Sequence, residues 1–168
     1  MEPEGLEFRI EPATEPDVPV ILRLIRALTD HERLSHEFAL TEPILREALF
    51  GSRPAAEAVL GFVGVEPVGL VVYFPTFSTA PGRIGLYVED LYVKPQWRGR
   101  GFGRKLLAHV AGLAAGRGGA SLQWSVLRWN GAAIRFYRSL GAERVDDAWG
   151  FQLRGDALRR LAEGERSP

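Results

Sequence analysis

With 168 residues, 46% hydrophobic and 25% charged, the chain has the size and composition of one globular domain, 1–168, able to bury its own core. Its 21 basic and 21 acidic residues cancel, which removes bulk attraction to nucleic acid or an anionic membrane and leaves electrostatic recognition to local groups. The lack of cysteine excludes disulfides, a thiol nucleophile and thiolate metal sites, and fits a reducing compartment.

The start, MEPEGLEFRI, has no basic region followed by an apolar run, and no later segment is long enough to span a bilayer, so a cytoplasmic location is expected. Leu6 to Ile10 alternates apolar and polar residues and predicts a first strand. Val18, Ile21, Leu22, Ile25 and Leu28 then recur at the spacing of one helical face, with Thr14 or Asp17 as the cap. His31-Glu32-Arg33 ends that helix. Thr41 caps a second one from Glu42 to about Phe50, with Pro43 in its first turn. Ala56 to Val65 and Pro67 to Phe77 are β-rich and predict a hairpin, and Ile84 to Val93 follows after Pro81-Gly82 as a third strand. Three strands without intervening helices predict an antiparallel meander.

A helix from Gly101 carries Leu106, Leu107, Val110, Leu113 and Ala114 and stops in the glycines 116, 118 and 119. Ala120 to Leu127 predicts another strand, and Asn130 caps a short helix with Phe136, Tyr137 and Leu140 on its apolar side and Gly141 as terminator. Ala142 to Val145 and Trp149 to Leu153 are the expected closing strands, with a helical turn or two over Asp156 to Ala162. The predicted order is β-α-α-β-β-β-α-β-α-β-β.

The stretch richest in chemistry is Tyr87 to Leu107, YVEDLYVKPQWRGRGFGRKLL. A strand bearing Glu89 and Asp90 runs into Arg98-Gly99-Arg100-Gly101-Phe102-Gly103 and then into a helix. Glycines at alternate positions let the backbone turn and leave its N–H groups open, and a helix N-terminus favours an anion, so the turn is suited to phosphate. It lacks GxxxxGK[ST] and the acid of a dinucleotide fold, so neither a Walker loop nor that fingerprint applies. A tight strand-to-helix link with no ligand is the alternative. His31, His36 and His109 have no compact metal-ligand spacing.

Gln96-x-x-Gly99-x-Gly101, followed by Phe102-Gly103-x-x-Leu106-Leu107 and preceded by Leu91-Tyr92-Val93-Lys94-Pro95, resembles the acetyl-coenzyme A signature of the GCN5-related N-acetyltransferases (GNAT). Within that superfamily the chain is most similar to the diamine (spermidine/spermine) and thialysine N-acetyltransferases, through Ile10–Thr14, Ile21–Arg26, Tyr87–Val93, Val126–Asn130 and Phe136-Tyr137. The resemblance covers nearly the whole chain. It implies an α/β (α+β) fold, with a mixed, mostly antiparallel central sheet of six to seven strands flanked by about four helices and splayed at the central strand. It also implies acetyl-CoA as cosubstrate without a metal, a homodimer, and acetyl transfer to a primary amine of a small cationic acceptor such as a polyamine, diamine or lysine-like molecule.

An alkylamine attacks a thioester only when neutral, so a base must take its proton. The resemblance implies Glu89 for that role and Asp90 beside the amine, whereas strict strand alternation would send these neighbours to opposite faces and leave one structural. Tyr137, by spacing alone a core aromatic, is implied as the acid for the departing thiolate. The main chain of Leu91, Tyr92 and Val93 is expected to pair with pantetheine, Arg98 through Arg104, with Gly99, Arg100, Gly101, Phe102 and Gly103 between them, to hold the pyrophosphate, and Asn130 to meet the cofactor arm. Glu32 is the expected acidic contact for the acceptor. Ala80-Pro81-Gly82-Arg83 and His31 stand where the diamine enzymes carry aromatics, which sets spermidine itself apart from the expected acceptors. The alternatives are an acetyltransferase for a peptide, protein or aminoglycoside amine, and a non-catalytic acetyl-CoA sensor.

Overall fold

The computed structural model describes residues 7–119, 121–148 and 150–164. They divide by contacts into two units, Met1–Leu127 and Arg128–Pro168, each taken by itself below.

The first unit is built on one five-stranded sheet in the order β1-β2-β3-β4-β5. Its strands are β1 (Phe8–Pro12), β2 (Glu57–Val63), β3 (Glu66–Ser78), β4 (Arg83–Val93) and β5 (Leu122–Trp124). All pairs are antiparallel except β4 with β5, which is parallel. A parallel pair needs a crossover, supplied by α3 (Phe102–Gly116). The β2–β3 turn falls at Gly64-Val65, since Val63 pairs with Glu66, two residues before Glu66-Pro67, where the two β-rich runs are expected to join. Pro67 instead sits opposite Phe62 next to a bulge, a position where a strand tolerates a residue without an N–H.

The helices α1 (Val18–His31) and α2 (Glu42–Phe50) cover one face of this sheet. Val18, Ile21, Leu24, Ile25 and Leu28 of α1 join Leu45 and Leu49 of α2 over Leu60, Leu70, Val72 and Tyr92, all buried. A short 3-10 turn precedes α1, where Thr14 N–H and hydroxyl both donate to Asp17 Oδ2 at 2.8 and 2.7 Å, so both expected cap residues act together. The end of α1 is closed without glycine. Arg33 takes φ 63°, its N–H reaching Asp30 O while Leu34 N–H reaches Thr29 O, the paired bonds of a Schellman cap.

Helix α3 packs on the opposite face. Gly61 and Gly69 are cross-strand partners, and a Cβ on either would press into Phe8 or Leu106. Their bareness lets Leu106 sink to full burial and lets Phe8 lie over β2 to stack on Phe102 at 4.1 Å between centroids. The far end of α3 is tied to β2 by Arg117, whose two guanidinium nitrogens donate to Glu57 at 2.7 Å each. That partly exposed bidentate pair contributes roughly 1 kcal/mol.

The second unit holds α4 (Gly131–Ser139) and α5 (Gly155–Ala162). Gly141, at φ 84°, follows α4 as the expected terminator. The sequence reading is corrected here in its strand count. One sheet of five strands is present among the described residues, not six to seven, and the described helices number five. The described residues of 142–153 form no strand, and Val145 and Phe151 are largely exposed, because an alternating pattern makes a strand only where an edge is offered to it. Leu6, Ala120 and Trp149, at the ends of three expected strands, lie outside the described residues. Among the described residues no helix is long and apolar enough to cross a membrane.

Candidate active site

The site is organised by a fork. The β4–β5 ladder pairs Leu86 with Leu122, Tyr87 with Gln123 and Val88 with Trp124, and stops there. Beyond Val88, β4 keeps β3 on one side and has no strand on the other among the described residues. Lys94 N–H donates to Val68 O, so by alternation the N–H and C=O groups of Leu91 and Val93 face the open edge, whereas those of Tyr92 turn to β3. Arg98 Nε donates to Val93 O at 2.8 Å, and its guanidinium lies 5.5 Å from the Tyr92 ring.

Glu89 sits at the root of this open edge, in a bulge. Val72 pairs with Asp90 and the next residue, Tyr73, pairs with Val88, so Glu89 is the extra residue on β4. A bulge re-aims side chains and breaks strict alternation, and neighbouring carboxylates need not part to opposite faces. Alternation from Val88 across the extra residue puts Glu89 on the same face as Asp90. Asp90, paired with Val72 on the α1 face and half-buried, is raised to about 7 by burial first, then by the charges of Glu89 and Glu32. Glu32, just past the end of α1, is raised by burial and then by Glu89. Glu32, Glu89 and Asp90 thus lie within electrostatic reach of one another, with no basic side chain offsetting either shift. Such a cluster repels itself until a cation arrives. Among the described residues no three His, Cys, Asp or Glu side chains are grouped to hold a metal.

Burial makes Asp90 prefer its protonated form in the fold. Its folded-state value lies above the ordinary 3.8, so the stability it contributes is present below pH 4 and is lost as pH rises through about 7. Asp90→Asn, neutral at every pH, is expected to raise thermal stability at pH 8 by roughly 2 kcal/mol, allowing for partial hydration, and to leave it unchanged at pH 4. Melting curves at the two pH values check this, and an equal shift at both would show that charge is not the cause.

At the other end of the fork, Gly99 and Gly101 hold φ 76° and 79°, and a Cβ on either would meet no protein atom within 4 Å. Gly101 is the N-cap of α3 and offers no side-chain bond to the helix. The N–H groups of Phe102 and Gly103, at the start of the first turn, have no carbonyl one turn back within the helix. No acidic residue lies in that turn. Phe102 is fixed by Phe8 and Trp97, with Arg100 over Trp97 at 4.9 Å and Lys105 over Phe8 at 5.7 Å. Aromatic packing thus holds an open, cationic backbone turn in place, which suits a pyrophosphate. A pocket of about 320 Å³ lies beside it on the α1 side, lined by Val20, Leu24, Tyr92, Lys94 and Gln96 among others, away from the three carboxylates.

In the second unit Asn130 is the N-cap of α4, accepting the Ala133 N–H at Oδ1 over 3.1 Å. Tyr137, half-buried on the same helix, packs against Phe136 at 5.3 Å. Sequence reasoning did not single out the bulge at Glu89, nor Tyr87 and Ser125 at the root of the fork, which has no local signature.

Residues 23–142 match the Acetyltransferase (GNAT) family. The chain is 38% identical to the thialysine N-epsilon-acetyltransferase of Bos taurus over 91% of its own length and 96% of that protein's. It is 29% identical to the L-ornithine N5-acetyltransferase NATA1 of Arabidopsis thaliana over 91% and 87%. Among solved structures it superposes on the integron cassette protein VCH_CASS6 from V. cholerae with a TM-score of 0.79 at 22% identity, covering 95% of this chain and 100% of that one. A parallel pair whose ladder ends after three register pairs, a glycine turn past the far end of β4 and a sequence match from α1 to just past α4 agree, and the chain belongs to the acetyltransferase (GNAT) family.

Proposed function

We propose that this acetyltransferase moves an acetyl group from acetyl-CoA to a side-chain primary amine of a small basic acceptor, a thialysine-, lysine- or ornithine-like amino acid or a diamine. The observation that carries this reading is the β4 bulge that sets Glu89 beside Asp90 at the root of the fork, within electrostatic reach of Glu32. An acceptor with a second cationic group relieves their mutual repulsion on binding. Relatives that acetylate thialysine and ornithine support the same acceptor class.

The residues present fit acetyl-CoA, because the turn at Gly99 and Gly101 is open above its backbone and uncapped. When bound, the cofactor supplies an acetyl group activated as a thioester. Gly99 through Arg104 hold its pyrophosphate, and Leu91 and Val93 offer edge amides to its pantetheine arm. In this reading Asn130 is assigned to that arm as well. Glu89 takes the proton of the attacking amine, directly or through a water molecule. Glu32 and Asp90 hold the acceptor's cationic groups. Asp90, with its value near 7, gains full charge as a cation arrives, so kcat/KM for a dication should rise with pH through neutrality more steeply than for a monoamine. A second reading follows from the same value, which suits a general base, and exchanges the roles of Asp90 and Glu89.

Tyr137 gives a proton to the departing sulfur. A thiolate is already a fair leaving group, with an ordinary thiol value near 8.5, so Tyr137→Phe is expected to lower kcat by only about ten-fold. Coenzyme A affinity should stay unchanged, and a wild-type kcat would remove Tyr137 from the reaction. Both units belong to one catalytic domain in this reading, since the family match runs across their boundary. A cytoplasmic homodimer is part of the proposal, supported by the absence of cysteine and by the exposed Phe151, Val145 and Leu161.

Thiol release from acetyl-CoA is the deciding assay, across thialysine, lysine, ornithine, diamines, polyamines, aminoglycosides and a lysine peptide. Basic amino acids or diamines should turn over fastest. Turnover confined to the peptide or the aminoglycosides would overturn the acceptor assignment, and coenzyme A binding without turnover on any amine would overturn the enzyme in favour of a sensor.

A further inference from the structure

The β4–β5 ladder ends at Val88 and Trp124, so continuing its register sets Glu89 level with Ser125, the first residue past β5. These are the first positions inside the fork, one on each prong. Across the root, Tyr87 Oη and Ser125 Oγ lie 2.7 Å apart. The Tyr87 ring is half-buried and stacked on Phe74 of β3 at 5.2 Å, which fixes its direction. Ser125 itself is exposed.

The position of this contact matters more than its strength. The backbone edges beyond Val88 must stay unpaired to receive a ligand, so no ladder bond can set the distance between the prongs there. With three register pairs below the opening, the spread of the prongs is governed at the root, where a stiff aromatic side chain reaches across to the other strand. We propose that Tyr87 and Ser125 form a positioning bridge that sets the opening of the fork and thereby the distance from the thioester to Glu89. This rests on the acetyl-transfer reading above. The bridge touches no reacting atom. Its loss lets β5 move relative to β4, and a misplacement of about 1 Å is enough to cost up to about 100-fold in rate.

The test uses the full chain, acetyl-CoA and the amine that the wild type acetylates best. Ser125→Ala and Tyr87→Phe should each lower kcat by about ten-fold, with KM for acetyl-CoA within about two-fold, because the pyrophosphate seat lies at the other end of β4. The double variant should be no slower than either single one, as expected for two halves of one contact. Ser125→Thr, which keeps the hydroxyl, should restore most of the rate, a rescue that a merely destabilised fold would not give. Wild-type kcat in both single variants, multiplied losses in the double variant, or failure of threonine to rescue would each overturn the bridge. A wild-type protein that acetylates no amine overturns the acetyl-transfer reading and the bridge with it, whereas an active wild type with unaffected variants overturns the bridge alone.

Discussion

Glu89→Gln should lower kcat by about 10²- to 10⁴-fold, the usual worth of a general base, with KM for acetyl-CoA nearly unchanged. An alkylamine with a value near 10.4 is almost wholly protonated at neutral pH, and only a group able to accept a proton can present it to a thioester as a nucleophile. Glutamine keeps the size and hydrogen-bonding reach of the side chain and removes the proton acceptor. The exposed bulge position tolerates the exchange without loss of packing. The deficit should narrow from pH 7 to pH 10, since more of the acceptor is then neutral before it binds. The same substitution removes a negative charge that raises Asp90 and Glu32, so carboxyl titration by NMR should find Asp90 below its wild-type position near 7. Wild-type turnover in Glu89→Gln, together with collapse in Asp90→Asn, would assign the base to Asp90.

The parts of this site that were legible in the sequence are those fixed by local chemistry. Gly99 and Gly101 announce a left-handed turn because few other residues adopt it, and both do adopt it. Asn130 announces a helix start because its side chain can replace a missing backbone partner, and it does so for Ala133. What was hidden depends on register. Nothing local in Val88-Glu89-Asp90 says that Tyr73 will pair with Val88 and Val72 with Asp90, yet this offset is what keeps the two carboxylates from parting. Gly61 and Gly69, taken singly, are only glycines inside two β-rich runs. Paired across two strands, they become the floor on which Phe8 and Leu106 rest and from which the glycine turn is held. The closing strands failed for a related reason, since Phe151 and Leu153 alternate correctly but alternation supplies no partner edge.

Gly101→Val should weaken coenzyme A binding by about 100-fold through loss of access to the helix terminus, and should separately lower stability by roughly 1–2 kcal/mol of left-handed strain. Gly101 stands at φ 79° immediately before α3, and nothing in the protein lies within 4 Å of where its Cβ would be. The space above it is the approach of an anion to the N–H groups of Phe102 and Gly103 at the start of the helix. A β-branched residue there disturbs both the conformation and the access, and two measurements separate the causes. Gly101→Asn tolerates the left-handed conformation, so its melting temperature should stay near the wild-type value while its side chain still covers the open backbone. Calorimetric titration with coenzyme A should therefore show weakened binding in both variants but lowered stability only in the valine one. Wild-type affinity in Gly101→Asn would mean that the phosphate does not sit over this turn. The anion would then have to be sought along the exposed arginines. If binding is lost while kcat at saturating acetyl-CoA is kept, the seat of the pyrophosphate and the carboxylates at Glu89 act as separate ends of one fork, joined by the backbone edge between them.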